Sequence, residues 1–164
     1  MHLFLLRHAD ATPTIPDELR TLTPLGRRQI RDIASKIDAS TFARVGAIEH
    51  SPLVRARESA ELFQLAAGLK LPLRECAHVT PDDDPRYTAQ QVLYSGGDRF
   101  LIGHNPHFEK LAGLLLGQGQ ENFFLPVAFG LAACMALECF SPPTRSVPLG
   151  YWQLRWFIVP RSDD

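Results

Sequence analysis

The chain is poor in cysteine, in lysine, in long apolar runs and in any excess of one charge. Its three cysteines, Cys76, Cys134 and Cys139, cannot pair completely and stand in apolar or ordinary surroundings. That excludes a disulfide-stapled miniprotein and leads us to expect a reducing compartment. No apolar stretch is long enough to cross a membrane. Leu3-Phe4-Leu5-Leu6 is too short for the apolar region of a signal peptide and runs straight into Arg7-His8, so the expected location is cytoplasmic. With 17 basic and 18 acidic residues the net charge is −1, which leaves no global field for nucleic acid or an anionic membrane. Lysine occurs only at Lys36, Lys70 and Lys110, so the other basic residues are arginines. Arginine forks onto carboxylates and phosphates, and a phosphate site is therefore worth seeking.

What is present is a globular composition, 45% hydrophobic over 164 residues. That length predicts one domain, residues 1–164, burying roughly 70% of its unfolded surface. Leu3–Leu6 fits a buried strand, and Ala9–Leu22 is polar and proline-broken, a loop. Thr23-Pro24 reads as an N-cap with proline at the first helical position. Leu25, Ile30, Ile33, Ala34 and Ile37 follow at helical spacing. Val45–Ile48 is a second strand, and Ser51-Pro52 predicts another capped helix reaching about Ala67, with Gly68 as its stop. A weak strand at 73–79, an acidic turn at 81–85 and a short helix at 89–94 come next. A strand at 100–102, a helix at 108–116 and two closing strands at 132–137 and 154–159 complete the pattern. There is no repeat, linker or low-complexity tract.

Strands alternating with helices predict an α/β fold, a three-layer αβα sandwich. Its sheet should be mainly parallel (mixed), of about six strands, with helices on both faces. Ligands of such sheets bind beyond the carboxyl ends of the strands. Three of the predicted strand ends carry Arg7-His8, His50-Ser51-Pro52 followed by Arg55, and Gly103-His104-Asn105-Pro106. Taken singly, a histidine at a strand end is more often structural than catalytic, and Arg55 alone would be a solvated helix residue. Together on one rim, Arg7, His8, Arg55 and His104 have no acid in these motifs placed to neutralise them, and an exogenous anion would do so.

These residues also carry a resemblance. Leu6-Arg7-His8-Ala9-Asp10-Ala11 resembles the arginine-histidine signature of the histidine phosphatase superfamily, the phosphoglycerate mutase-like proteins. With alanine at position 9 it looks like the small SixA-type phosphohistidine phosphatases. Leu22–Gln29 is similar to the family's first helix start. Ser51-Pro52-Leu53-Val54-Arg55-Ala56 is similar to its second arginine motif, and Gly103–Glu109 to its second histidine motif. The resemblance runs in order through the chain to a strand at 156–160.

It implies a phosphatase with His8 as nucleophile and a covalent phosphohistidine intermediate. Arg7, Arg55 and His104 would be catalytic and substrate-binding, holding the phosphoryl oxygens. Arg20 either joins them or pairs with Asp17 or Glu18. No metal and no cofactor are expected, because the arginines supply the positive charge. The usual family glutamate acid has no counterpart here. Asp82, Asp83 and Asp84 are weak candidates for that role, and a proline-bounded acidic turn is more often solvated. SixA-type members resemble this chain in that departure, which points to phosphohistidine on a protein as substrate. The alternatives are a small-molecule phosphomonoesterase of the same superfamily or a non-catalytic phosphate-binding module.

Two rival patterns remain. Cys139–Ser146 matches the C-x5-R-[ST] loop of cysteine phosphatases, but Pro142 and Pro143 delete two amide donors and Val147–Gly150 breaks the helix that should follow. His104-x-x-His107 with His8-x-Asp10 suggests a metal site, which Pro106 and the neighbouring arginines oppose.

Overall fold

The computed structural model describes residues 1–117 and 126–161. Six strands form one sheet in the order β3-β2-β4-β1-β5-β6. They are β1 (His2–Arg7), β2 (Val45–His50), β3 (Leu73–Glu75), β4 (Asp98–Gly103), β5 (Cys134–Ser141) and β6 (Tyr151–Ile158). The first four pair in parallel, while β5 and β6 are antiparallel additions. The helices are α1 (Pro24–Ser35), α2 (Val54–Ala66), α3 (Pro85–Ser95) and α4 (His107–Leu116). The expected mixed sheet of about six strands is observed. Among the described residues, no helix is long and apolar enough to cross a membrane.

Side chains alternate across a strand, so β1 feeds two cores. Phe4 and Leu6 face α1 and α2 together with Ile48, Phe100 and Ile102. Leu3 and Leu5 face α3 and α4 together with Leu101 and Met135. Helices therefore cover both faces, and a strand buried on both sides reads as a continuous apolar run.

Helix α1 starts as its sequence dictates: the Thr23 hydroxyl accepts the Gly26 amide at 3.0 Å, and Pro24 opens the first turn. Gly26 is required there, because a Cβ would run into the backbone carbonyl of Asp10. That close approach draws the post-β1 loop against α1. Several expected boundaries move, among them that of β6, which begins at Tyr151 and not at 154. Helix α2 begins at Val54, not at Ser51-Pro52; the Ser51 hydroxyl instead accepts the Leu53 amide, 3.3 Å away. Helix α3 begins at Pro85, because Asp84 caps it by accepting the Arg86 amide at 2.9 Å. Strand β3 is three residues long, an edge strand with Arg74 and Glu75 exposed. Strand β5 starts at Cys134, because Ala132 adopts a left-handed backbone at φ 54°, and pairing with β6 carries it on to Ser141. The C-terminal helix signals did hold: Gly68 and Gly96 take φ of 64° and 67°.

Candidate active site

The strands β2, β4 and β1 lie side by side, so three motifs distant in sequence end on one rim. Arg7 stands opposite Gly103 in the register, and the His8 amide donates to the Gly103 carbonyl at 2.9 Å. The Ser51 amide donates to Ile102 at 3.0 Å. His8 and His104 consequently meet, their ring centroids 4.9 Å apart. A Cβ on Gly103 would strike the Phe108 ring and the Val79 carbonyl, so this join depends on glycine. Arg55 arrives from the first turn of α2. The Ser59 hydroxyl donates to the Arg55 carbonyl at 2.7 Å and accepts the Ala9 amide at 3.2 Å, tying α2 to the residue after His8.

A hydrogen bond sets the tautomer of His8. His8 Nδ1 lies 2.7 Å from the Ala9 carbonyl, which can only accept, so Nδ1 carries the proton. His8 is 7% exposed, and its Nε2 keeps the lone pair. Burial first, and then the charges of Arg55, Arg7 and Arg20, push its pKa down to about 4 against the pull of the Ala9 bond. His104 is 1% exposed, and its Nε2 lies 2.8 Å from the Ser51 hydroxyl. That hydroxyl accepts from Leu53 and can either donate to His104 or accept from it, so the bond holds the ring without choosing its tautomer. His104 Nδ1 has no partner among the described residues. Burial, followed by His8 and the two arginines, pushes its pKa down to about 2.

Among the described residues, the buried nitrogens Arg7 Nε, Arg55 Nε and His104 Nδ1 on this rim have no partner. A buried donor left unmade is costly, so the two guanidinium N–H groups beside His8 and His104 describe a place for an anion. Arg7 is braced by Nη1 donating to the Phe129 carbonyl at 2.8 Å. Asn105 donates to that same carbonyl and to Glu109 Oε1, both at 2.7 Å.

Arg20 is held by the chain itself, with Nε donating to Thr12 at 2.6 Å, Nη2 to Ala11 at 3.2 Å and Nη1 to Asp17 at 3.2 Å. This is the Asp17 pairing that the sequence allowed. Asp17 also meets Arg55, Oδ2 to Nη2 at 3.0 Å. Burial tends to raise the Asp17 pKa, but the Arg20 bond and the Arg55 charge together hold it below the usual range.

The remaining candidates lie elsewhere. Asp83 Oδ2 accepts the Thr80 amide and hydroxyl at 2.6 and 2.7 Å, and Asp84 caps α3, so these two carboxylates serve as turn and cap. The rival patterns fail on geometry. Cys139 lies within β5, its thiol donates to the Ser141 carbonyl at 3.2 Å, and burial raises its pKa, the reverse of an activated thiolate. His107 turns from the rim, its Nδ1 donating to the Asp83 carbonyl at 2.9 Å, and Asp10 accepts from Thr23 at 2.5 Å. Sequence reasoning missed Ser51 as a partner of His104, together with Ser59, Phe129 and the contact of Asp17 with Arg55. A serine before proline signals a cap, and nothing local shows that β4 will bring His104 beside it.

Residues 3–78 match the family model of the histidine phosphatase superfamily (branch 1). No curated protein matches the chain significantly. Among solved structures, the protein histidine phosphatase SixA complexed with tungstate is similar, with a TM-score of 0.78 and 23% identity over 98% of this chain and 97% of that one. A SixA described as a putative phosphohistidine phosphatase from Agrobacterium tumefaciens gives 0.69 and 23% over 97% of each chain. A mycobacterial glucosyl-3-phosphoglycerate phosphatase gives 0.62 and 16% over 94% and 96%. At these identities the structural likeness shows the fold. The resemblance read from the motifs is thus met by the family model over residues 3–78 and by the histidine phosphatase fold over nearly the whole chain.

Proposed function

We propose that this chain, acting as one histidine phosphatase-like domain over residues 1–164, is a phosphatase with His8 as its nucleophile and phosphohistidine on a protein as its substrate. The observation that carries the reading is the state of His8: a buried neutral imidazole, proton held on Ala9, lone pair at Nε2, set among arginines with unpartnered nitrogens. Nε2 attacks phosphorus as the bond to the leaving nitrogen breaks. That nitrogen takes the electron pair and departs as neutral imidazole when its other ring nitrogen carries a proton. His8 Nδ1–H stays on the Ala9 carbonyl, which favours the positive ring that phosphorylation creates. Water then attacks phosphorus, the pair returns to Nε2, and the proton of the water leaves with phosphate or solvent.

Arg7, Arg55 and His104 hold the oxygens on which charge spreads in the transition state. Arg20 acts on the same anion through its charge while bonded to the loop. The guanidiniums supply what a metal would, so chelators should leave the rate unchanged. Asp82, Asp83 and Asp84 give no donor for an alkoxide, whose conjugate acid has a pKa of roughly 15. A positioned acid would contribute about 10²–10⁴-fold to such a reaction, and imidazole leaves without that help. We also propose a cytoplasmic location, consistent with unpaired cysteines.

A second reading, a small-molecule phosphomonoesterase, has support in the fold shared with the glucosyl-3-phosphoglycerate phosphatase. Assays of a phosphohistidine protein, p-nitrophenyl phosphate and alkyl phosphomonoesters, with and without chelator, separate the two. We expect phosphohistidine to be hydrolysed fastest and p-nitrophenyl phosphate modestly. Faster turnover of alkyl esters would favour the second reading, and chelator-sensitive turnover would overturn the metal-free scheme. Binding without any turnover would leave only a phosphate-binding module.

A further inference from the structure

One carboxylate already lies on the guanidinium assigned to the phosphoryl group. Asp17 Oδ2 is 3.0 Å from Arg55 Nη2, and the Asp17 carbonyl accepts from Arg55 Nη1 at 2.9 Å. Both terminal nitrogens of a side chain that is 5% exposed are therefore taken by one loop residue. Asp17 thereby occupies the edge between the two terminal nitrogens and leaves to an anion the other edge, where Arg55 Nε has no partner among the described residues. Arg20 grips the other carboxylate oxygen at 3.2 Å and is itself fastened to the Ala11 and Thr12 carbonyls. If an incoming phosphoryl group takes Arg55, Arg20 still holds the Asp17 charge beside it. Asp17 is 60% exposed and opens a single helical turn, Asp17–Leu19, so the carboxylate can move without disturbing either core.

We infer that Asp17 is a specificity-determining residue, a carboxylate fixed on Arg55 beside the phosphoryl site, whose charge weakens anion binding there and disfavours leaving groups bearing a second anion. The preference among leaving groups rests on the phosphatase reading; the weakened anion binding rests only on anion binding at the rim. A histidine side chain as leaving group brings no such anion, whereas a small phosphorylated acid does.

The test is Asp17→Asn, with Glu18→Gln as a control that makes the same charge change one residue away. Asp17→Asn should tighten inorganic phosphate binding, measured by calorimetry, by about two- to fivefold, the scale of removing a partly exposed charge. Glu18→Gln should leave that affinity near wild type. Asp17→Asn should also raise kcat/KM for phosphoglycolate more than for p-nitrophenyl phosphate. Unchanged or weaker phosphate binding in Asp17→Asn, at an unaltered melting temperature, would overturn the charge effect and make Asp17 a brace for Arg55. An equal rise for both esters would overturn the leaving-group preference. Tighter phosphate binding with no turnover of any ester would count against the phosphatase reading and leave the charge effect standing.

Discussion

A neutral imidazole at position 8 depends on two neighbours of opposite effect. The Ala9 carbonyl fixes the proton on Nδ1, while burial and three arginines resist a second proton. The depressed pKa carries a sign: between about 6.5 and 4 the unfolded chain binds a proton at His8 that the folded chain refuses. Stability is thus fully present above pH 6.5 and falls as the pH drops toward 4, and the free protein stays competent for attack over that window. Ring 15N NMR of the unliganded protein should show His8 as the Nδ1–H tautomer at pH 6. Titration centred near 6.5 would contradict this. Ser51 positions His104. Ser51→Ala removes the hydroxyl that holds the His104 ring and should lower kcat about tenfold, with Ser51→Thr restoring part of it. An unchanged kcat in Ser51→Ala would place the Ser51 hydroxyl outside the chemistry. The convergence of His8, Arg7, Arg55 and His104 on one rim was legible in the sequence, because three of them sit where an apolar strand passes into the next turn and Arg55 lies in the first turn of the helix that follows. The contacts of Ser51 with His104 and of Asp17 with Arg55 were not, because they are set by strand order and loop path.

At the scale of elements, the join between the post-β1 loop and α1 is held by a cap and a glycine. Thr23→Ala should cost about 1 kcal/mol through the lost N-cap. Gly26→Ala should cost more, because its Cβ meets backbone at Asp10 and cannot be relieved by a rotamer change. Denaturant unfolding of the two variants gives the comparison; equal midpoints would show that the Asp10 approach relaxes freely. Local signals found α1 and the ends of α2 and α3, where a cap or a left-handed glycine acts within a few residues. They misplaced the start of α2, because the Ser51 hydroxyl is drawn to a residue 53 positions away. They misplaced β5 and β6, because hairpin pairing rather than side-chain alternation decides where those strands run.

For the whole molecule, the sheet order matters most. The strand order puts β2, β4 and β1 together, and with them every proposed catalytic group. The face toward α1 and α2 is filled by Phe4, Phe42, Phe63 and Phe100, with ring centroids from 4.8 to 6.3 Å apart. Phe100→Ala should cost about 3–5 kcal/mol, read from denaturant unfolding. A loss under about 1 kcal/mol would mean the rings repack. The central claim is that the fold exists to present His8 Nε2 to phosphorus, and its most direct test is to trap the intermediate. Rapid quenching of the wild-type protein with labelled phosphohistidine protein should capture phosphate on His8 that is labile to acid and stable to alkali. His8→Ala should lose both the label and turnover while keeping its melting temperature, and Cys139→Ser should keep both. Near-normal turnover by His8→Ala, with label and activity lost in Cys139→Ser, would contradict the account.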